Sequence, residues 1–224
     1  MEKDGYITIK DINIFKFEPI DSRMYIIVSN KEALIIDPCI SEEAFFYLKN
    51  NYVEKVNIIL THEHYDHISG VNHLRKLFKT EVICSKKCSK NIKDPNLNLS
   101  RYFEILFINR EDNIKNKIES IEYSCEADKT FDESFNFFWK NNKIKLFETP
   151  GNSEGIICVI LNNNIIFTGD TLVNGNKIIT RLPGGSKKDY KDKTLPFLRS
   201  ISDETWICPG HGEVDLVKNL NFYY

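Results

Sequence analysis

The most informative stretch of this 224-residue chain is Thr61-His62-Glu63-His64-Tyr65-Asp66-His67. Its three imidazoles and the Asp66 carboxylate can ligate a metal ion, and imidazole together with carboxylate suits zinc, iron or manganese. The stretch follows the apolar run 56–60, which is typical of a buried strand. Open α/β sheets place ligand sites at the carboxyl ends of their strands. A solvated polar turn has no need of ligands at this spacing, so the sequence predicts a metal-binding loop.

Three further polar loops, at 149–155, 169–170 and 209–213, also follow apolar strands. Each carries a glycine beside a side chain that can reach a metal, which lets the backbone turn sharply. Asp170 follows a strand rich in isoleucine and phenylalanine, where an unpaired carboxylate would be costly and a cation would offset that cost. The alternative for Asp170 and for His211 is an ordinary turn residue. Asp37 ends another strand, and it either orients a histidine or leads into a helix.

The remaining pattern alternates strands with helices. Residues 6–18 indicate one or two opening strands, and residues 85–140 are the least readable part of the chain. No repeat of fixed period or low-complexity linker is present, so we expect a single domain over residues 1–224. The predicted strands are 24–28, 33–36, 56–60, 81–84, 144–147, 156–161, 165–168 and 205–208, and the predicted helices are about 42–49 and 69–78, with a short helix capped by Ser85.

Composition excludes several classes of function. The net charge is −2, from 30 basic and 32 acidic residues, so neither nucleic acid nor an anionic membrane is expected as a partner. The first five residues are not followed by the apolar segment of a secretory signal, and no run approaches the ~18 apolar residues of a membrane span. We therefore expect a cytoplasmic protein. Its six cysteines are expected to be free thiols, with Cys84 and Cys88 serving as packing residues.

The four loops together resemble the metallo-β-lactamase superfamily, and within it the glyoxalase II-like (hydroxyacylglutathione hydrolase-like) branch. The first motif, Thr61-His-x-His-x-Asp-His67, is followed by Thr149-Pro-Gly, Phe167-Thr-Gly-Asp170 and Pro209-Gly-His211-Gly. Leu182-Pro-Gly-Gly-Ser186 also resembles that branch. The resemblance covers residues from about Tyr25 to Glu213. It implies an α/β fold in the form of a four-layer αββα sandwich with its metals at one edge.

The resemblance also implies a division of ligands between two ions. His62, His64 and a bridging Asp170 would hold the first, whereas Asp66, His67, His211 and Asp170 would hold the second. One position departs from the family pattern: Asn152 stands where a third imidazole for the first ion is expected. Because an amide oxygen is a weaker zinc ligand than imidazole, the first ion should bind less tightly, be absent, or retain extra water.

The resemblance implies a zinc-dependent hydrolase with one or two ions, iron or manganese being possible, that cleaves a thioester or a related ester or lactone. Asp66 would hold the metal and relay a proton in catalysis. Fewer than twenty residues follow His211, so the glutathione-binding extension of glyoxalase II is expected to be missing, which leaves other small-molecule or carrier-bound acyl substrates open. The alternatives are a mononuclear iron oxygenase of the persulfide dioxygenase kind and a non-catalytic binding protein. The sequence leaves the substrate and the oligomeric state open.

Overall fold

Two six-stranded sheets stack face to face in the computed structural model, which describes residues 6–17, 20–106, 119–173 and 178–220. In the first sheet β1, β2 and β3 are antiparallel, and β3 to β6 are parallel. Its strands, in spatial order, are β1 (Asn13–Phe17), β2 (Ser22–Ser29), β3 (Glu32–Ile36), β4 (Lys55–Ile59), β5 (Lys79–Ser85) and β6 (Lys129–Phe131).

The second sheet is antiparallel except where β10 and β11 run parallel. Its strands, also in spatial order, are β7 (Ser134–Trp139), β8 (Asn142–Glu148), β9 (Ile157–Leu161), β10 (Ile165–Gly169), β11 (Trp206–Pro209) and β12 (Asp215–Leu216).

Helices cover the outer faces of both sheets. On the first sheet, Ile26 and Ile35 pack with Leu48 and Leu74 of the helices, and on the second sheet Ile166 packs with Leu195 and Leu198. The helices are α1 (Glu42–Asn50), α2 (Tyr65–Ile68), α3 (Val71–Leu77), α4 (Lys86–Asn91), α5 (Phe103–Leu106), α6 (Lys187–Asp189) and α7 (Leu195–Arg199), with a π-helical turn at Tyr190–Thr194 and 3₁₀ turns at Ile9–Asp11, Ser100–Tyr102 and Val217–Asn219.

Side chains alternate across the strands, which gives the inner core its own set of residues. Tyr25 of β2 points into the space between the sheets and packs on Phe167 of β10, with ring centroids 5.2 Å apart. Its neighbour Ile26 points to the helical layer. This arrangement confirms the predicted αββα sandwich.

Two predicted elements differ in detail. The predicted helix 69–78 is shorter, since α3 spans Val71–Leu77, and Ser69 and Gly70 separate it from α2, a short helix within the histidine motif that the sequence interpretation missed. A side chain at Gly70 would lie 2.6 Å from the Cys39 carbonyl oxygen, so the chain must pass here without one. In the range 6–18, of which residue 18 lies outside the described residues, a single strand follows a 3₁₀ turn. The sequence interpretation missed β6, β7 and β12.

The six cysteines are free, as predicted, and the structure buries all of them. Cys84 and Cys88 belong to the apolar cluster under the helices of the first sheet, which is a packing role. Among the described residues no helix has both the length and the apolar character needed to cross a bilayer.

The topology brings the ends of four strands to one edge of the sandwich. Because β3 and β4 are parallel, Asp37 and the motif beginning at Thr61 leave the first sheet side by side. Because β10 and β11 are parallel, Asp170 and the Gly210-His211 turn leave the second sheet side by side as well. The backbone joins the two turns, since the Gly210 N–H donates to the Gly169 carbonyl at 2.8 Å.

Candidate metal centre

Two glycines let the chain approach closely at this edge of the sandwich. Gly169 has a φ of +48°, which favours glycine, and a side chain there would collide with Thr61. A side chain at Gly210 would collide with Asp170. These glycines therefore allow the loops that carry the predicted ligands to touch.

The six predicted metal-binding residues converge in two adjoining groups. His62, His64 and Asp170 bring one potential ligand atom each to within 4.8 Å of one another, and Asp66, His67 and His211 do the same. These groups match the first and second ligand sets that the resemblance implies.

Asp170 lies between the two groups. Its Oδ2 is 3.9 Å from His62 Nε2, and its Oδ1 is 3.5 Å from His67 Nε2 and 3.6 Å from His211 Nε2. One carboxylate therefore faces both groups, which is the placement expected of a bridging ligand.

The donor set fits a cation. The Nε2 atoms of His62, His64 and His67 and the Oδ1 of Asp170 are buried, and none has a hydrogen-bond partner among the residues that the structure describes. Unpaired buried polar atoms are costly and rare in native proteins. Four of them facing one another are accounted for by a metal ion, for which imidazole nitrogen and carboxylate oxygen are the preferred ligands.

Asp37 orients His67. Its Oδ2 lies 3.2 Å from His67 Nδ1, and its two oxygens also accept hydrogen bonds from the Thr61 N–H (2.6 Å) and hydroxyl (2.5 Å). Burial raises the pKa of Asp37, although the bonds from His67 and Thr61 oppose the shift. A carboxylate on Nδ1 keeps the proton there and leaves Nε2 free for a metal. Of the two roles that the sequence allowed for Asp37, the structure supports the orienting one.

Ser22, which the sequence interpretation missed, contacts Asp66. Its buried hydroxyl donates to Asp66 Oδ2 at 2.6 Å, and its backbone forms an isolated β-bridge with His211. Burial would raise the pKa of Asp66, but His67 and His211 outweigh it and hold that pKa well below the usual value. Asp66 is therefore a carboxylate anion that accepts bonds. A lone serine at the start of a strand gives no sequence signal for this role.

The electrostatics differ between the two groups of imidazoles. Burial lowers the pKa of His62 and His64, so both are neutral ligands. Burial also opposes a charge on His67, but the carboxylates of Asp66 and Asp170 raise its pKa well above the usual value. The pKa of His211 is raised against burial by Asp170 and Asp66. The second group therefore favours positive charge, whether a proton or a metal ion supplies it.

Asn152, the residue that departs from the family pattern, is buried in a loop whose other residues contact the neighbours of the first ligand group. Its Nδ2 donates to the Ile179 carbonyl at 3.2 Å, whereas its Oδ1 is buried and has no partner among the described residues. The neighbouring Ser153 hydroxyl donates to Glu63 Oε2 at 3.0 Å, and Glu63 lies between the first two histidines of the motif. Thr149 contacts Thr171, the residue after Asp170. The loop carrying Asn152 therefore contacts the residue between His62 and His64 and the residue after Asp170.

Two other side chains lie outside the ligand groups. Glu154 is exposed, and its Oε1 accepts a bond from Asn91 Nδ2 at 3.0 Å. His73 is exposed on α3 and stacks on Phe45, with ring centroids 4.1 Å apart. Neither belongs to a potential metal-binding group in the described part of the chain. His73 is therefore a packing histidine on the surface, as the sequence indicated.

Comparison with known proteins agrees with this geometry. The model of the metallo-beta-lactamase superfamily matches residues 18–211. The chain is 24% identical to the probable polyketide biosynthesis zinc-dependent hydrolase PksB of Bacillus subtilis, over 88% of this chain and 79% of the relative. It is 28% identical to a hydroxyacylglutathione hydrolase of Wigglesworthia glossinidia brevipalpis, over 90% of this chain and 65% of that relative's length.

A solved structure shows the same fold. The BLEG-1 B3 metallo-beta-lactamase superposes with a TM-score of 0.74 at 26% identity, covering 92% of this chain and 94% of that one. The family model, the stacked sheets and the converging ligand groups all agree. The chain therefore belongs to the metallo-β-lactamase superfamily, whose members are mostly metal-dependent hydrolases.

Proposed function

We propose that this protein is a metal-dependent hydrolase that cleaves an acyl bond, with a thioester as the preferred substrate and an ester or lactone as the related possibilities. The observation that carries the proposal is the set of buried imidazole nitrogens that lie close to Asp170 and have no hydrogen-bond partner in the described part of the chain. Hydrolysis is the common chemistry of the superfamily.

The chain's own residues divide the work. His62, His64 and Asp170 would hold the first ion, and Asp66, His67 and His211, with Asp170 shared, would hold the second. When bound, such a cation lowers the pKa of water and polarises the carbonyl that is attacked.

Asp66 has a second role in this proposal. Because its pKa is held low, it stays a carboxylate and can accept the hydrogen bond of the attacking water. The Ser22 hydroxyl donates to its Oδ2 at 2.6 Å, which helps to hold the carboxylate in place.

The substrate class rests on the relatives. One relative is named a hydroxyacylglutathione hydrolase, and another is named a probable zinc-dependent hydrolase of polyketide biosynthesis. Both names are compatible with an acyl substrate joined to a small thiol or to a carrier. We therefore propose zinc as the resident metal and an acyl thioester as the substrate.

A second candidate function is a mononuclear iron oxygenase. With Asn152 in place of an imidazole, the first group consists of two histidines and one carboxylate, His62, His64 and Asp170. That combination is the ligand set of non-haem iron oxygenases. One iron per chain with oxygen uptake on a persulfide substrate would favour this function over hydrolysis.

The test is a panel of acyl thioesters, esters and lactones assayed with protein purified without chelator. We expect thioester cleavage that falls at least a hundredfold in His67→Ala and persists in the matched control His73→Ala. Cleavage that is equal in wild type and His67→Ala would contradict the proposal. A folded protein that binds no metal and turns over none of the panel would favour a binding role.

A further inference from the structure

Glu63 is a buried acidic residue to which neither the ligand groups nor the proposed chemistry gives a role. It lies between His62 and His64 in the chain, and only 1% of its surface is exposed. In the described part of the chain it belongs to none of the potential metal-binding groups. Burying a charge is costly unless a partner compensates it. The partner of Glu63 must therefore be identified.

Neutral groups satisfy the hydrogen bonds of Glu63 but not its charge. Asn91 Nδ2 donates to Oε1 at 2.9 Å, and the Ser153 hydroxyl donates to Oε2 at 3.0 Å. Both oxygens accept, which is the bonding pattern of a carboxylate anion. Among the residues that the structure describes, no lysine, arginine or histidine forms an ion pair with it. The protein therefore buries a negative charge that its own described side chains leave uncompensated.

The surrounding chain holds this carboxylate against the metal-binding loops. A side chain at Gly155 would lie 2.6 Å from Glu63 Oε2, so the loop 149–155 packs directly on the carboxylate. The Ser85 hydroxyl, which begins α4, donates to the Gly155 carbonyl at 2.7 Å and fixes that contact. Burial lowers the pKa of His64, and of the nearby charges Glu63 opposes that shift most strongly. The charge of Glu63 thus acts on a ligand of the first group.

The first ligand group is poor in negative charge. It has two neutral imidazoles and one carboxylate, Asp170, which also faces the second group. The second group has Asp66 in addition, and Asp37 contacts its His67. A divalent ion in the first group would therefore keep an excess of positive charge unless another anion lies nearby.

We infer that Glu63 is that anion: its buried carboxylate raises the affinity of the first ligand group for a divalent cation without ligating it. The bound cation in turn offsets the cost of burying the Glu63 charge. Glu63 also compensates in part for Asn152, whose amide is a weaker ligand than the imidazole of the family pattern. The inference rests on the metal centre and not on the reaction proposed for it.

Glu63→Gln tests the inference because it removes the charge and preserves both hydrogen bonds. The amide oxygen can accept from Asn91 Nδ2, and the amide NH₂ can donate to the Ser153 hydroxyl, which accepts as well as donates. A zinc titration against a chromophoric chelator should show that the first ion binds about tenfold more weakly or worse. The first ion is the one whose binding is lost in His64→Ala, since His64 belongs to the first group alone.

The stability of the metal-free protein separates a charge effect from a structural one. In the presence of chelator, the melting temperature of Glu63→Gln should be no lower than that of the wild type, because an uncompensated buried charge has been removed. With zinc present the order should reverse, since the wild type binds the first ion more tightly. A side chain that only holds the fold together would lower the melting temperature under both conditions.

Two further variants serve as controls. Glu154 also accepts a hydrogen bond from Asn91 Nδ2, at 3.0 Å, but it is exposed, so water screens its charge and Glu154→Gln should bind zinc as the wild type does. Ser153→Ala removes a hydrogen bond to Glu63 and keeps the charge. It should lower the melting temperature without zinc and weaken zinc binding less than Glu63→Gln does.

Three results would overturn the role of Glu63. They are an unchanged zinc affinity in a folded Glu63→Gln protein, an equal loss of affinity in Ser153→Ala, and a lower melting temperature of Glu63→Gln without zinc. A wild-type protein that binds no zinc would refute the metal centre and this inference together. Because zinc binding is measured without substrate, a failure of the proposed thioester cleavage is recognised separately.

Discussion

Replacing Asp37 with asparagine tests the interaction that orients His67. The two carboxylate oxygens of Asp37 accept from three donors: the Thr61 N–H, the Thr61 hydroxyl and His67 Nδ1. An asparagine keeps one of those oxygens and replaces the other with an NH₂ group. If the amide oxygen stays with the Thr61 N–H, the NH₂ group faces His67 Nδ1 and forces that nitrogen to become an acceptor.

The consequence for the metal follows from the imidazole tautomer. With Nδ1 accepting, the proton of His67 moves to Nε2, the atom that the centre needs as a ligand. Loss of such an orienting partner lowers metal affinity by about 10- to 100-fold, or about 1.4 to 2.8 kcal/mol. We therefore expect the dissociation constant of the second ion, which His67 would hold, to rise by about that factor in Asp37→Asn.

The assay is a zinc titration in competition with a chromophoric chelator, with the fold checked by circular dichroism. The matched control is Asp192→Asn, since Asp192 is an exposed aspartate on the π-helical turn that pairs only with Lys188 in the described structure. A wild-type zinc affinity in a folded Asp37→Asn protein would refute the role assigned to Asp37.

Three further changes probe the same centre. Ser22→Ala removes the bond to Asp66, and because hydrogen bonds to charged groups contribute about 1.5–3 kcal/mol, urea denaturation should show a loss of that size in the free energy of unfolding; no loss would mean that the bond is not made. Asn152→His should raise metal content toward two ions and speed thioester cleavage, whereas no change in either would place position 152 away from the metal. Chelation should lower the melting temperature, because an ion at about a thousand times its dissociation constant stabilises by about 4 kcal/mol, or roughly 8–16 °C for a chain of this size; an unchanged melting temperature would contradict metal binding.

The sequence predicted the strands that are buried on both faces, because continuous apolar runs identify them. The apolar run of β4 and the histidine motif after it predicted both the strand and its loop, because a buried parallel strand needs continuous apolar residues. The hairpin of β9 and β10 was clear for the same reason. In β7 exposed and buried aromatic residues adjoin, so the alternation that identifies a half-buried strand is missing.

The sequence predicted the metal-binding side chains of the centre but not the residues that support them. Imidazoles and carboxylates at motif spacing predicted His62, His64, Asp66, His67, Asp170 and His211, and the structure brings all six together. The supporting contacts could not be predicted, because they depend on distance across the fold. Ser22 reaches Asp66 from a strand 44 residues away, and Glu63 reaches Ser153 from 90 residues away.

The most direct test of the central claim is the metal content of the folded protein, measured by elemental analysis after purification without chelator and after titration with zinc. We predict at least one ion per chain in the wild type and in His73→Ala, and fewer in His62→Ala and His67→Ala. A folded wild-type protein that takes up no ion, or alanine variants that retain the wild-type metal content, would contradict a metal centre built from these six side chains.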